Sequence, residues 1–268
     1  MHFHSLSYLA SQSPHAATLR RALVWAVVYG AKNRVRRLTK GRRGRTSAEN
    51  REIYDGLAGT YYSDASMVVP KLRVIDGRLM MAPGEVVREQ YCHRLGAIFR
   101  AHGVTSILEA GTGDGNNLPL LQERLPKARL HGIDISPKRI DFAAGHPIHR
   151  ELGITFSVAS AAALPFETGS FDAVFSMYCI ENLPREFKNA IREMTRVARK
   201  CVVLVEPIPE HRGAAQRIYA RASNFVRGLP EFLEKEDLDV VSVELLASAG
   251  VPLNMASLIT IRPRQRDV

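Results

Sequence analysis

The chain has 268 residues, 46% of them hydrophobic and 24% charged, which suits a globular protein with a sizeable core. Its formal net charge is +10, but ten Lys/Arg and no Asp/Glu fall within residues 1–48, and the remainder carries 27 residues of each sign. The basic excess therefore belongs to the N-terminal arm, and a nucleic-acid-binding patch spread over the rest of the chain is not indicated. Cys92, Cys179 and Cys201 are far apart and form no CxxC pair. That argues against structural zinc, any other metal centre and a disulfide framework, and it fits a reducing cytoplasm.

Residues 1–17, rich in Ser, His and Ala, read as poorly ordered. Residues 18–38 read as a helix with an apolar middle at 22–31. That middle is short of the roughly 20 apolar residues a membrane span needs. A basic run follows it instead of a small-residue cleavage site, which argues against a cleaved signal peptide. Three readings stay open for residues 18–45. One is an interfacial helix, with Trp25 and Tyr29 among lipid headgroups and the basic cluster at 32–45 on anionic lipid, which would place a cytoplasmic protein at a membrane surface. Another is a helix packed on its own domain or on a partner and followed by a solvated linker. The third is an organelle-targeting presequence.

Residues 49–64 then predict a short helix with clustered tyrosines. Residues 84–102 place Val86, Val87, Tyr91, Leu95, Ile98 and Phe99 at helical spacing, and Gly103 is a natural stop. From there strands and helices alternate. Strands are predicted at 105–110, 129–135, 154–159, 171–177 and 202–206, with helices at 118–125, 137–152 and 185–199. Short, almost wholly apolar strands joined by helices indicate a doubly wound α/β fold with a mostly parallel sheet covered on both faces. A helix over 213–226 follows. Strands at 240–246 and 257–261 have only ten residues between them, too few for a helical crossover. They predict an antiparallel C-terminal hairpin that brings the sheet to seven strands. The expected organisation is a basic helical extension (1–48), a lid-like segment (49–83) and one large domain (84–268).

The most informative stretch is residues 105–117. An apolar strand ends at Glu109, and Gly111, Gly113 and Gly115 follow at alternate positions before a helix. Glycines at a strand end let a backbone approach something closely, in the usual ligand crevice of an open α/β sheet. The second strand ends at Asp134, where an acid can accept hydrogen bonds from a ribose diol. The spacing G-x-G-x-G differs from the dinucleotide pattern G-x-G-x-x-G. Glu109 would also repel a phosphate and favour a cation such as a sulfonium. These features favour S-adenosylmethionine over a nicotinamide dinucleotide.

Residues 109–115 (EAGTGDG), 133–136 (IDIS), 161–166 (AAALPF) and 170–176 (SFDAVFS) resemble, in order and spacing, the class I S-adenosylmethionine-dependent methyltransferases. The similarity is greatest to the small-molecule type 11 group, and it covers about residues 84–210. The resemblance implies a Rossmann-like sheet and roles for individual residues. Glu109 would position the glycine loop and the methionine end of the cofactor, with Gly111, Gly113 and Gly115 shaping the loop. Asp134 would hold the ribose, and Ile135 would pack on the adenine. Ser160 stands where the family often has Asp, so adenine binding would rest more on the Ala161 backbone. Met177 and Tyr178 would face the sulfonium and the acceptor. Tyr61, in a lid-like tyrosine cluster with Tyr54 and Tyr62, would fold over the cofactor.

Methyl transfer needs alignment above all, and a base only for some acceptors. Tyr178, Glu181, Glu206 and His211 are the candidates for that base. The motifs of enzymes that methylate amino groups of bases, and of cytosine C5 enzymes, are absent after the fourth strand. The acceptor expected is a small or lipid-like molecule methylated on O, C or an amine N. An RNA acceptor gripped by the basic arm and a non-catalytic cofactor-binding protein are the alternatives.

Overall fold

The computed structural model describes residues 46–59 and 71–264, apart from 77, 237, 247–248 and 251. The predicted helix at 18–38 and Tyr61 lie outside the described residues.

The sheet is built outward from β3 (Ser106–Ala110), whose five residues are all buried. On one side β3 pairs in parallel with β4 (Arg129–Asp134), which pairs in parallel with β5 (Thr155–Val158). On the other side it pairs in parallel with β6 (Phe171–Met177), followed by β7 (Ala198–Pro207). The hairpin of β8 (Asp239–Leu245) and β10 (Ala256–Arg262) completes the sheet, with β10 antiparallel to both β7 and β8. The order β5-β4-β3-β6-β7-β10-β8 reverses direction at β3. The carboxyl ends of β3 and β6 therefore open a crevice.

Helices cover both faces. α2 (Gly84–Ala101) and α3 (Leu118–Arg124) pack on one side, where Tyr91, Leu95 and Phe99 join Leu118, Leu121 and Phe175 in a core. α6 (Phe187–Val197) covers the other. Its buried residues Phe187, Ala190, Ile191, Met194 and Val197 follow the 3.6-residue period and meet Val174, Val202 and Leu204. α7 (Ala214–Ser223) and α8 (Leu229–Lys235) follow β7 in the chain and precede β8.

Three elements differ from the expectation. The helix predicted over 137–152 is two helices, α4 (Pro137–Gly145) and α5 (Pro147–Glu151). Pro147 has no N–H to continue α4, and His146 before it is extended at φ −71°, ψ 131°. β7 starts at Ala198, four residues before the predicted strand, directly at the end of α6. Within the lid-like segment, β1 (Lys71–Ile75) and β2 (Arg78–Ala82) form a hairpin. With β9 (Ala249–Gly250) they make a separate three-stranded sheet that the sequence reading did not include.

Candidate active site

The turn after β3 is fixed by its glycines and by protein side chains packed against them. Gly111, Gly113 and Gly115 have φ of +76°, +59° and +82°, the left-handed region that a Cβ disfavours. At Gly111 a Cβ would lie 2.2 Å from Cys179 Sγ, and at Gly113 2.3 Å from the Arg139 guanidinium. At Gly115 it would lie 2.8 Å from His149. The space the glycines leave open is thus filled from within the fold. The N–H groups are spoken for as well. Gly111 and Thr112 donate to Ile133 O, Gly115 to Thr112 O, and Gly113 to Asp134 Oδ2. These four donors do not form the open cradle that a pyrophosphate requires.

Glu109 is fully buried. Its Oε2 accepts from Thr112 Oγ1 at 2.6 Å and its Oε1 from Asn117 Nδ2 at 2.6 Å. Burial pushes the carboxyl up to about 7, against those two hydrogen bonds. Glu109 braces the loop from below and is not itself in the cavity wall. Asp134, at the end of β4, does line the cavity. Its Oδ2 accepts from Gly113 N and its Oδ1 from Ser136 N, both at 2.9 Å. Each oxygen keeps further acceptor capacity. Burial raises its pKa above the ordinary carboxylate value, with the Ser136 N–H, the Arg139 charge and the Gly113 N–H opposing it.

The cavity holds about 570 Å³, within the range of small-molecule sites. Gly111, Gly113, Asp134, Ile135, Ser160 and Ala161 contribute to its lining. Met177, Tyr178, Glu181, Tyr91, Arg73 and Asn254 do so as well. The Ser160 hydroxyl already accepts from Ala162 N at 3.2 Å, closing a small turn. Tyr178 is held at φ +54°, a strained backbone for a bulky side chain. Its hydroxyl donates to Asn254 O at 3.0 Å and lies 3.1 Å from the Tyr91 hydroxyl.

The four base candidates separate. Glu206 lies outside the cavity lining and is 1% exposed. Its carboxylate accepts from Ser176 Oγ and from the N–H groups of Cys179, Ile180 and Glu181, at 2.9–3.1 Å. It caps the short 3₁₀ turn Ile180–Asn182 and so fixes the loop beneath Tyr178. His211 lines a different cavity, bounded by Pro230, Leu233 and Val240. Burial holds the Tyr178 hydroxyl well above its usual value, so it remains a phenol. Burial and then the Glu206 charge hold Glu181 well above the carboxylate range, and Asn254 Nδ2 donates to its Oε2 at 2.9 Å. Burial pushes Glu206 up as well, to about 7, against its four hydrogen bonds.

Among the described residues of the lid-like segment, one helix borders the cavity. In α1 (Ser47–Asp55), capped by Thr46 and Glu49, Asn50, Ile53 and Tyr54 line the cavity, joined by Leu57. The helix is tied down at three places. Asp55 Oδ1 accepts from Ser136 Oγ at 2.5 Å, Asn50 Nδ2 donates to Asn182 O at 3.1 Å, and Ser47 Oγ donates to Glu186. The Arg139 guanidinium, paired with Asp114 at 2.9 Å, lies 5.8 Å from the Tyr54 ring centre.

These residues fit a nucleoside with a cationic tail. Asp134 has acceptor capacity for a diol, and Ile135 and Ala161 give apolar walls for a base. Asn50 Oδ1 is a buried acceptor without a hydrogen-bond partner on the same wall. Tyr91, Arg73, Asn50 and Asn254 were missed by the sequence reading, because they come from four separate elements. The apolar period of α2 marks Tyr91 as core, which it also is. No group of three or more His, Cys, Asp or Glu that could hold a metal occurs among the described residues.

A family model described as a methyltransferase domain matches residues 107–201. The demethylmenaquinone methyltransferase of Thermus thermophilus is 32% identical over 161 residues, which is 54% of this chain and 73% of that protein. Among solved structures, the cyclase SpnF superposes with a TM-score of 0.62 at 18% identity, covering 82% of this chain and 97% of that one. Magnesium protoporphyrin IX methyltransferase from Synechocystis, with bound S-adenosylhomocysteine, gives 0.52 at 18% identity, covering 66% and 84%.

Proposed function

This chain belongs to the class I S-adenosylmethionine-dependent methyltransferases, and from that premise we propose that its acceptor is a flat, hydroxylated aromatic molecule of the quinol or phenol class. The cofactor supplies an electrophilic methyl group on a sulfonium. Asp134 is the ribose-binding residue in this reading, Ile135 and Ala161 flank the adenine, and Glu109 keeps the loop in place beneath the methionine end. Gly111 and Gly113 form the wall between them. Met177 and Tyr178 stand between the donor and acceptor ends.

One observation carries the choice of acceptor. The cavity lining includes the apolar side chains Val87, Leu183 and Phe225 together with two tyrosines whose hydroxyls lie 3.1 Å apart. Apolar walls with a few polar groups at one end suit a ring bearing a hydroxyl. The quinone-methylating relative supports the same class. α1 would exclude water and align the reactants, where most of the rate gain for this reaction lies.

The test is transfer of labelled methyl from the donor to naphthoquinol. Labelled product is expected with the wild type. Asp134→Ala should weaken cofactor binding about 10- to 100-fold, the effect of losing charge-assisted hydrogen bonds of roughly 1.5–3 kcal/mol. Normal cofactor affinity in that variant would remove Asp134 from the site. For residues 18–45 we propose contact with an anionic membrane surface on its cytoplasmic side, which suits a lipid-like acceptor. Co-sedimentation with phosphatidylserine vesicles, lost on deleting residues 1–45, would support it, and equal sedimentation of both proteins would reject it.

A further inference from the structure

The acceptor end of the cavity has more unsatisfied cation than anion. Arg73, on β1, lines the cavity and is half-buried. Among the described residues its one hydrogen bond is to its neighbour's carbonyl, Leu72 O, at 3.5 Å. Arg212, behind the two tyrosines, donates through Nη2 to Ala256 O at 2.6 Å, and its buried Nε has no partner. Neither arginine forms an ion pair among the described residues, whereas Arg139, a buried arginine of the cavity wall, does. Leaving a guanidinium partly desolvated without a carboxylate is costly. Both arginines draw the Tyr91 hydroxyl toward ionisation, but burial outweighs them and keeps it a phenol. The remaining groups around this end are Tyr178, Glu181, Arg88 on α2, and Glu206 beneath Tyr178, whose carboxyl is taken up by four donors of β6 and the loop that follows it. Neither carboxyl forms an ion pair with Arg73 or Arg212 among the described residues.

We propose that the acceptor is bound as an oxyanion, with Arg73 as its direct counter-charge beside the Tyr91–Tyr178 hydroxyl pair, and Arg212 as a positioning residue for that pair. This rests on the phenol or quinol reading above, and it explains why none of the four base candidates is a free base at the site. The proton leaves to water before the chemical step, because the guanidinium favours the ionised form and lowers the pKa of the bound hydroxyl. The acceptor then attacks the methyl carbon with a lone pair from its oxygen, or with the electrons of a ring carbon conjugated to it. A C–O or C–C bond forms, the C–S bond breaks with its electron pair going to sulfur, and the negative and positive charges cancel. Attack through oxygen leaves no proton to remove. Attack through carbon leaves one ring proton, which departs to water.

The test uses nitronaphthol, whose phenolate is coloured and whose neutral form is not, added to the full-length protein saturated with S-adenosylhomocysteine. Bound to the wild type, the probe should titrate at least one pH unit lower than in water, a tenfold gain in ionisation. Arg73→Gln should abolish that displacement, and Arg73→Lys should keep part of it. Calorimetry with S-adenosylhomocysteine and a melting curve show that each variant is folded and loaded. An unshifted or raised midpoint in the wild type would overturn the proposal. A displacement that survives in Arg73→Gln, or failure of the probe to bind the loaded protein, would do so too. If methyl still reaches naphthoquinol in any of those cases, only the oxyanion is lost. If it does not, the acceptor class is wrong as well.

Discussion

Substituting Gly111 by Ala tests whether the glycine turn is set by packing within the fold. The cost has two parts. Gly111 sits at φ +76°, and a Cβ residue held there loses about 1–2 kcal/mol. The new methyl would also lie 2.2 Å from Cys179 Sγ and 2.6 Å from Cys179 Cβ. Neither atom can retreat easily, because Cys179 N and the next two N–H groups are anchored on Glu206. Overpacking of this kind costs about 1–3 kcal/mol. Gly111→Ala should therefore lose roughly 2–5 kcal/mol of stability in urea unfolding and weaken cofactor binding. Adding Cys179→Gly removes both clashing atoms and leaves Cys179 Cα at 3.8 Å, an ordinary contact. The double variant should recover the packing part and keep the φ part, a coupling of about 1–3 kcal/mol in a double-mutant cycle. Additive losses, or a Gly111→Ala protein as stable as the wild type, would refute the reasoning.

Glu206→Gln replaces an acceptor of four hydrogen bonds by a group with one oxygen, and turns an NH₂ toward donors. A loss of about 1–3 kcal/mol should appear as a melting temperature lower by several degrees, with weaker cofactor binding because the loop under Tyr178 loosens. An unchanged melting curve would contradict the capping role. Glu109 stands near 7 in the folded protein, above its ordinary 4.5. The native state thus holds a proton there that the unfolded chain has lost. Its contribution to stability is full below pH 4.5 and is lost as pH rises through 7. Between pH 6 and 8 the loss is about 1 kcal/mol, and Glu109→Gln should flatten that slope in pH-dependent unfolding. A slope unchanged by the substitution would show that Glu109 is not the titrating group. Asp55→Ala cuts the tie from α1 to Ser136 and should raise the cofactor dissociation rate several-fold in stopped-flow displacement. An unaltered rate would mean that α1 does not gate the site.

Much of the sheet was legible because its strands are short apolar runs, two of which, β3 and β4, carry an acid at their carboxyl end. β6 was predicted to the residue, and β3, β4 and β5 to within two residues at each end. The hairpin of β8 and β10 followed from the gap between them. Asp134 was legible too, since a buried strand-end acid has few structural reasons to be there. Less could be read where a role depends on which atoms come together. Glu206 looked like a base candidate from its place after a strand, but three backbone N–H groups converge on it. His211 follows the same strand and faces another cavity. The break between α4 and α5 was marked by Pro147, which the helical period around it obscured. Arg73 belongs to a hairpin of alternating Lys, Arg and apolar residues with nothing in its local sequence to mark a site. It acquires meaning only through its distance from any carboxylate.

The packing of Cys179, Arg139 and His149 into the places of three missing side chains also bears on inheritance. A chain of this fold that lost its methyl donor, or took up other chemistry as the cyclase SpnF has on a similar framework, would still be held to its glycines by its own interior. The glycine turn therefore records descent and foldability. In the reading proposed above, activity is recorded instead in side chains of the cavity wall, Asp134 and Arg73 among them.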